Sequence, residues 1–132
     1  MPIPCIDLRV VDECGRILLV KRKNEPMKGE WWFPGGRVHY KETRAKASIR
    51  KLKEECGLEP LRIREIGTFD VIFDLASDNL PNHGITTLFE ILIQDSNSLK
   101  LDDQSIGADW RTAQKWQREQ LHEFIRTGIT LP

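Results

Sequence analysis

The stretch from Trp31 to Leu58 constrains this chain more than any other. It begins Trp31-Trp32-Phe33-Pro34-Gly35-Gly36 and passes at Thr43 into a helical period that stops at Gly57. Two adjacent glycines mark a place where backbone must turn sharply or approach something closely. From Thr43 onward, Ala45, Ile49, Leu52 and Cys56 recur at spacings of three and four, the apolar stripe of an amphipathic helix. Thr43 is placed as an N-cap, and Gly57 stands where a left-handed residue ends a helix. Any fold of this chain must feed a glycine turn into that helix.

The flanking segments are strand-like. Cys5–Val11 and Arg16–Lys21 read as a hairpin around Asp12-Glu13-Cys14-Gly15. Leu61–Ile66, Thr68–Phe73 and Thr86–Ile93 also read as strands, with a polar loop, Ala76–Gly84, between the last two. A final amphipathic helix is expected from about Thr112 to Arg126, stopped by Gly128. Strands on both sides of a helix, then a terminal helix, predict an α/β sandwich: a mixed sheet with a helix on each side. A length of 132 residues predicts one domain, residues 1–132.

Charge bounds the ligand. Lys and Arg number 20, as do Asp and Glu, for a formal charge of zero. That argues against a broad electrostatic grip on a nucleic acid polymer. An anionic ligand must be held by a local cluster instead. No apolar run approaches the roughly 18 residues of a membrane span. The first residues lack a basic stretch followed by an apolar one, so no secretory leader is expected. Cys5, Cys14 and Cys56 are scattered and form no CxxC, which suits free thiols in a reducing, cytoplasmic setting.

On a helical wheel Arg50 and Glu54 lie close together, and Lys51 and Glu55 share an adjoining strip. Adjacent carboxylates such as Glu54 and Glu55 repel unless a cation sits between them. Hard oxygen ligands of this kind suit Mg²⁺ or Mn²⁺, above all when a substrate brings phosphates. Taken alone, the helix reads more readily as a solvated face with pairs such as Lys51–Glu55.

The wider context changes that reading. From the glycine pair the sequence runs Gly36, five residues, Glu42, seven residues, then Arg50-Lys51-Leu52-Lys53-Glu54-Glu55-Cys56-Gly57-Leu58. This resembles the Nudix signature, G-x5-E-x7-R-E-U-x-E-E-x-G-U with U aliphatic, of hydrolases that cut nucleoside diphosphates linked to another group. Eight of the nine fixed positions match; the exception is Lys51, where the family has Glu. The resemblance implies the Nudix α/β/α sandwich. It also implies a metal-assisted hydrolase, with Lys51 able to pair with Glu55 and weaken metal binding.

Within that family the chain resembles the GDP-mannose mannosyl hydrolases, which also lack that Glu. Ile6-Asp7, Gly15-Arg16, Leu18-Leu19, Lys21-Arg22, Asn24-x-Pro26, Gly29-x-Trp31, Pro34-Gly35-Gly36-Arg37-Val38, Thr86-Thr87, Asp102-Asp103-Gln104 and Trp110 carry the likeness. The resemblance implies Mg²⁺-dependent attack of water at the sugar C1 of a GDP-sugar (GDP-mannose or GDP-glucose), releasing GDP and free sugar. Arg22, Arg37 and Arg50 would contact the diphosphate or leaving group. Metal ligands would be the Gly35 carbonyl, Glu55 and Gln104, with Glu54 as a helper. Asp7 would orient an arginine or the sugar.

Two positions depart from the subfamily: Ser105 stands where it has a histidine, and Phe89 where it has a tyrosine. Serine is no ordinary general base near neutral pH. Asp102, Asp103, His83 and His39 remain as substitutes. Two other functions stay in view: ordinary Nudix attack at phosphorus on a nucleotide sugar or nucleoside triphosphate, and a non-catalytic nucleotide-binding domain. The partner expected is a nucleotide or nucleotide sugar, and the family resemblance adds a homodimer.

Overall fold

A computed structural model of the chain describes residues 2–24, 27–73 and 82–132. Strand β1 spans Ile3–Val11 and β2 Ile17–Arg22; β3 is Trp31–Trp32 and β4 Gly35–Arg37. Helix α1, Arg44–Cys56, follows, then β5 (Arg62–Phe73), β6 (Asn82–Leu92) and β7 (Ser105–Arg111). Two helices close the chain, α2 (Ala113–Trp116) and α3 (Glu123–Thr130). The sheet order is β3-β2-β1-β6-β5, with β4 on β1 and β7 on β2. The β1–β6 pair is parallel and the other pairs are antiparallel, so the sheet is mixed, as expected.

Strand alternation sorts the core into two layers. Ile6, Leu8 and Val10 of β1 join Leu18, Val20, Phe89 and Ile91 beneath Leu52 and Cys56 of α1. Ile17, Leu19 and Leu88 face the other way, against Trp116, Phe124, Ile125 and Ile129. Arg9 also lies on that second face. Its guanidinium donates to the carbonyls of Gly128 (2.8 Å) and Leu131 (2.6 Å) and pairs with Glu90 at 2.6 Å. It thereby satisfies carbonyls at the C-terminal end of α3 that the helix itself leaves open.

Helix α1 starts and stops as its sequence dictates. The Thr43 hydroxyl accepts from the Lys46 amide at 3.2 Å. Gly57 takes φ 64°, its amide donates to the Lys53 carbonyl at 2.9 Å, and Leu58 reaches back to Leu52 at 3.5 Å. This is a Schellman ending, which glycine adopts without Cβ strain. The stripe itself is rotated from the one expected. Ala45 and Ile49 face outward, while Ala47, Ser48, Leu52, Glu55 and Cys56 are buried. Hydrophobicity misplaced it because the buried face includes a serine that bonds the Ala45 carbonyl and a glutamate turned into a cavity.

Three other expectations need correction. The two strands read from Leu61 to Phe73 are one, with a pairing irregularity between Glu65 and Gly67. The terminal helix is broken. Arg126 donates to the Gln117 and Glu119 carbonyls, and His122 caps a new helix through its Nδ1 and the Phe124 amide. Gly128 lies inside α3, where a Cβ would come 2.8 Å from the Phe33 ring, so it is a packing glycine and no stop. Strand β7 went unforeseen; its Ile106 is exposed and its residues do not alternate cleanly. Most of the expected Ala76–Gly84 loop lies outside the described residues. Among the described residues no helix is long and apolar enough to cross a membrane.

Candidate active site

The glycine pair builds the floor of the site. Strand β4 pairs with the start of β1, setting Gly35 opposite Asp7, Gly36 opposite Ile6 and Arg37 opposite Cys5. At Gly35 a Cβ would run into the Asp7 carboxylate and the Ile6 carbonyl, so no other residue fits. Helix α1 crosses above and lowers Glu55 to the turn, where Glu55 Oε2 accepts from the Gly35 amide at 3.2 Å. Backbone bonds from Lys100 to the Cys56 carbonyl (2.8 Å) and from Asp102 to the Glu55 carbonyl (3.1 Å) tie the next loop to the end of α1. That loop brings Asp102, Gln104 and Ser105 to the same place.

The result is one cavity of about 540 Å³. Its wall includes Asp7, Arg22, Gly35, Arg37, Glu54, Glu55 and Gln104. These residues are spread from β1 to the loop before β7, and the fold assembles them. Lys51 and Asp102 also line it. His39, His83 and Asp103 are not among the lining residues, and His83 bonds Asp70 at 2.9 Å instead. Ser105 lines the cavity, so a hydroxyl stands in the subfamily histidine's position.

The resemblance would put Arg50 on the diphosphate or leaving group. Arg50 is not part of the cavity wall. Its Nε donates to Glu42 at 2.7 Å, and its other nitrogens reach Glu42 again, Glu54 at 3.1 Å and the Arg37 carbonyl at 3.0 Å. A guanidinium so engaged ties the loop to the helix. These contacts suit a positioning role, which we propose for Arg50. Its hydrogen bonds, with the His39 amide, pull the Glu42 carboxyl down to about 2.

The electrostatics of the wall are strained in the opposite sense. Burial pushes Asp7 well above the ordinary carboxylate range, and repulsion from Glu55 adds to it; a hydrogen bond from Trp32 and the charge of Arg22 oppose. Burial also raises Glu55, while Lys51 works against it. A fold gains no stability by burying carboxylates whose partners fail to offset the burial. Such perturbed groups in a cleft are a mark of function. Sequence reasoning overlooked Cys5, Trp32 and Thr86 in the wall. A signal existed for Cys5, which shares a strand face with Asp7; Thr86 comes opposite Cys5 only through the parallel pairing of β1 with β6.

The metal implied by the signature would be held by the Gly35 carbonyl, Glu54, Glu55 and Gln104. These donors reach one cavity, but a cation of the chain already stands among them. Lys51 Nζ lies 3.2 Å from Glu55 Oε1 and 3.8 Å from Glu54 Oε2. Gln104 turns its amide nitrogen to Asp103 at 3.3 Å. Among the described residues no three His, Cys, Asp or Glu side chains converge to hold a metal ion. With Lys51 so placed, the donor set does not fit an ion chelated by both glutamates.

Known proteins share this architecture. The NUDIX domain model matches residues 1–130. The low-salt glycan biosynthesis protein Agl8 of Haloferax volcanii is 36% identical over 106 residues, 79% of this chain and 67% of that protein. The ADP-ribose pyrophosphatase of Methanocaldococcus jannaschii is 33% identical over 101 residues, 76% of this chain and 57% of that enzyme. The chain thus spans about two thirds of one relative and little more than half of the other. A MutT NUDIX hydrolase from Burkholderia pseudomallei superposes with a TM-score of 0.81 at 25% identity, over 99% of this chain and 98% of that one. The NUDIX domain of Shewanella oneidensis NrtR, cocrystallised with ADP ribose, gives 0.78 at 19% identity over 97% and 86% of the two chains. The α/β/α sandwich is the same in these structures.

Proposed function

The chain belongs to the Nudix domain family, and on that premise we propose that it hydrolyses a nucleoside diphosphate joined to a sugar, with residues 1–132 acting as one catalytic domain. One observation carries the reading. Arg22, Arg37 and Lys51 share a single cavity with a glycine floor and buried carboxylates, and its volume suits a ligand of that size. Arginine gives charged, two-pronged contacts to phosphate oxygens.

The bond cut in the first reading is C1–O, in a GDP-sugar such as GDP-mannose or GDP-glucose. Water's oxygen bonds to C1 as the C1–O bond breaks. The electron pair passes to the β-phosphate oxygen, and the water's proton passes to a carboxylate. Asp102, beside Glu55 in the wall, takes that proton in place of the missing histidine. Charge grows on the departing diphosphate, where Arg22 and Arg37 stabilise it most. This reading is favoured because Glu54 and Glu55 are both held by cations. Those contacts occupy carboxylate oxygens that attack at phosphorus would use to hold water or an ion. Nudix hydrolases generally use divalent metal ions, and Mg²⁺, or Mn²⁺, is the addition to test. Such an ion would supply Lewis-acid polarisation of the phosphates.

A second reading, attack at phosphorus, is favoured by the ADP-ribose pyrophosphatase relative and by Glu54, whose side chain is half exposed at the cavity. Product identification separates the two. GDP plus free mannose from GDP-mannose supports the first reading. GMP plus mannose 1-phosphate supports the second. Saturable binding without turnover across a panel of nucleotides would replace both with a binding domain.

A further inference from the structure

Lys51 is the one position where the signature changes sign, and the structure gives it a definite place. Its ammonium sits against both glutamates, its side chain is only 16% exposed, and it lines the cavity. Its stem lies on Gly36, where a Cβ would come 2.8 Å from Lys51 Cε. The glycine floor therefore makes room for this lysine as well as for a ligand. An ammonium has three donors. Glu55 lies within hydrogen-bond reach at 3.2 Å and Glu54 is met only as an ion pair at 3.8 Å, which leaves donors for the cavity.

A charge count shows what this does. The described wall holds four carboxylates (Asp7, Glu54, Glu55, Asp102) and three cations (Arg22, Arg37, Lys51). A glutamate at position 51 would make that five against two, a site demanding a divalent ion before any phosphate could enter. With lysine the chain supplies most of the compensation itself. We propose that Lys51 is a tethered cation that takes the place of a metal ion between Glu54 and Glu55 and presents a free N–H to the diphosphate. Nucleotide binding then does not depend on a divalent ion, and the protein alone binds such an ion poorly.

The inference rests on the cavity being a nucleotide site, but its first test does not use turnover. Titration of the whole protein with Mn²⁺ alone, followed by electron spin resonance, reads metal affinity directly. Lys51→Glu and Lys51→Met should each bind Mn²⁺ at least about 10-fold more tightly than the wild type, since both remove the ammonium from between the glutamates and free Glu55. Equal affinity in the wild type and both variants would overturn the proposal and leave the hydrolase reading untouched. The second arm measures GDP binding by calorimetry in EDTA and in Mg²⁺. Wild-type affinity should agree within about 3-fold between the two, and Lys51→Met should lose about 10-fold or more in EDTA. Wild-type binding seen only with Mg²⁺ would overturn it. Absence of GDP binding in both conditions, with Mn²⁺ results as expected, would sink the nucleotide reading alone.

Discussion

Two regions of this molecule use the same chemistry to opposite ends. On one face of the sheet, Arg9 is 3% exposed and bonds Glu90 and two carbonyls near the end of α3, while Arg64 holds the other oxygen of Glu90 at 3.1 Å. On the other side, Lys51 bonds Glu54 and Glu55 on the wall of a cavity. Both are cation–carboxylate clusters tucked against a helix. Burial raises Glu90 too, but hydrogen bonds and charge from Arg9 and Arg64 outweigh it and hold the carboxyl low. In the cavity the balance reverses, and Asp7 and Glu55 stay raised. The first cluster closes on itself; the second stays unbalanced beside open space, which is where we place the ligand.

Substitutions should separate the two regions. The largest stability effect belongs to the closed cluster. Arg9→Met orphans two carbonyls and should cost about 3–5 kcal/mol in chemical denaturation. Whatever fraction folds should keep a near-normal KM, and a stability loss under 1 kcal/mol, roughly, would mean the cluster is not structural. Next comes Arg37→Ala in the cavity. It should lower kcat/KM on the nucleotide sugar by about 100-fold while thermal unfolding barely moves. A matched loss of stability would erase the distinction.

Arg50→Lys tests the positioning role. Lysine cannot reproduce the fork that joins Glu42, Glu54 and the Arg37 carbonyl, so kcat/KM should fall about 10-fold. Asp7→Asn sharpens the comparison from the other side. Removing a carboxylate that burial holds raised should increase the melting temperature while lowering turnover. A lower melting temperature would show that the charge at Asp7 serves the fold.

The smallest effect is acid titration of Glu42. Its folded value of about 2 lies below the ordinary 4.5, so its contribution is full above 4.5 and is lost as pH falls through about 2. Carbon NMR of the Glu42 carboxyl should show the low midpoint, and Arg50→Ala should return it toward 4.5.

Much of this was legible in the sequence, for reasons that can be named. Thr43 and Gly57 act through their immediate neighbours, so a linear reading finds them; the glycine pair shows itself by composition, although the groups that crowd it, Asp7, Ile6 and Lys51, are distant in sequence. The spacing of Glu54, Glu55 and Arg50 on one helix is equally local. The rotated stripe of α1 was hidden because its buried face carries Ser48 and Glu55, whose partners lie elsewhere. The break before α3 depends on Arg126 and His122 meeting carbonyls and amides across a turn. The Arg50–Glu42 contact crosses a loop whose course no periodicity encodes. Lys51 was readable as a departure; its seat on Gly36 was not.

The most direct test of the account is hydrolysis of GDP-mannose in heavy-oxygen water. The label should enter mannose, with GDP unlabelled, as expected for attack at C1 by a site whose cations serve the departing diphosphate. Label in a phosphate, with GMP released, would contradict that account.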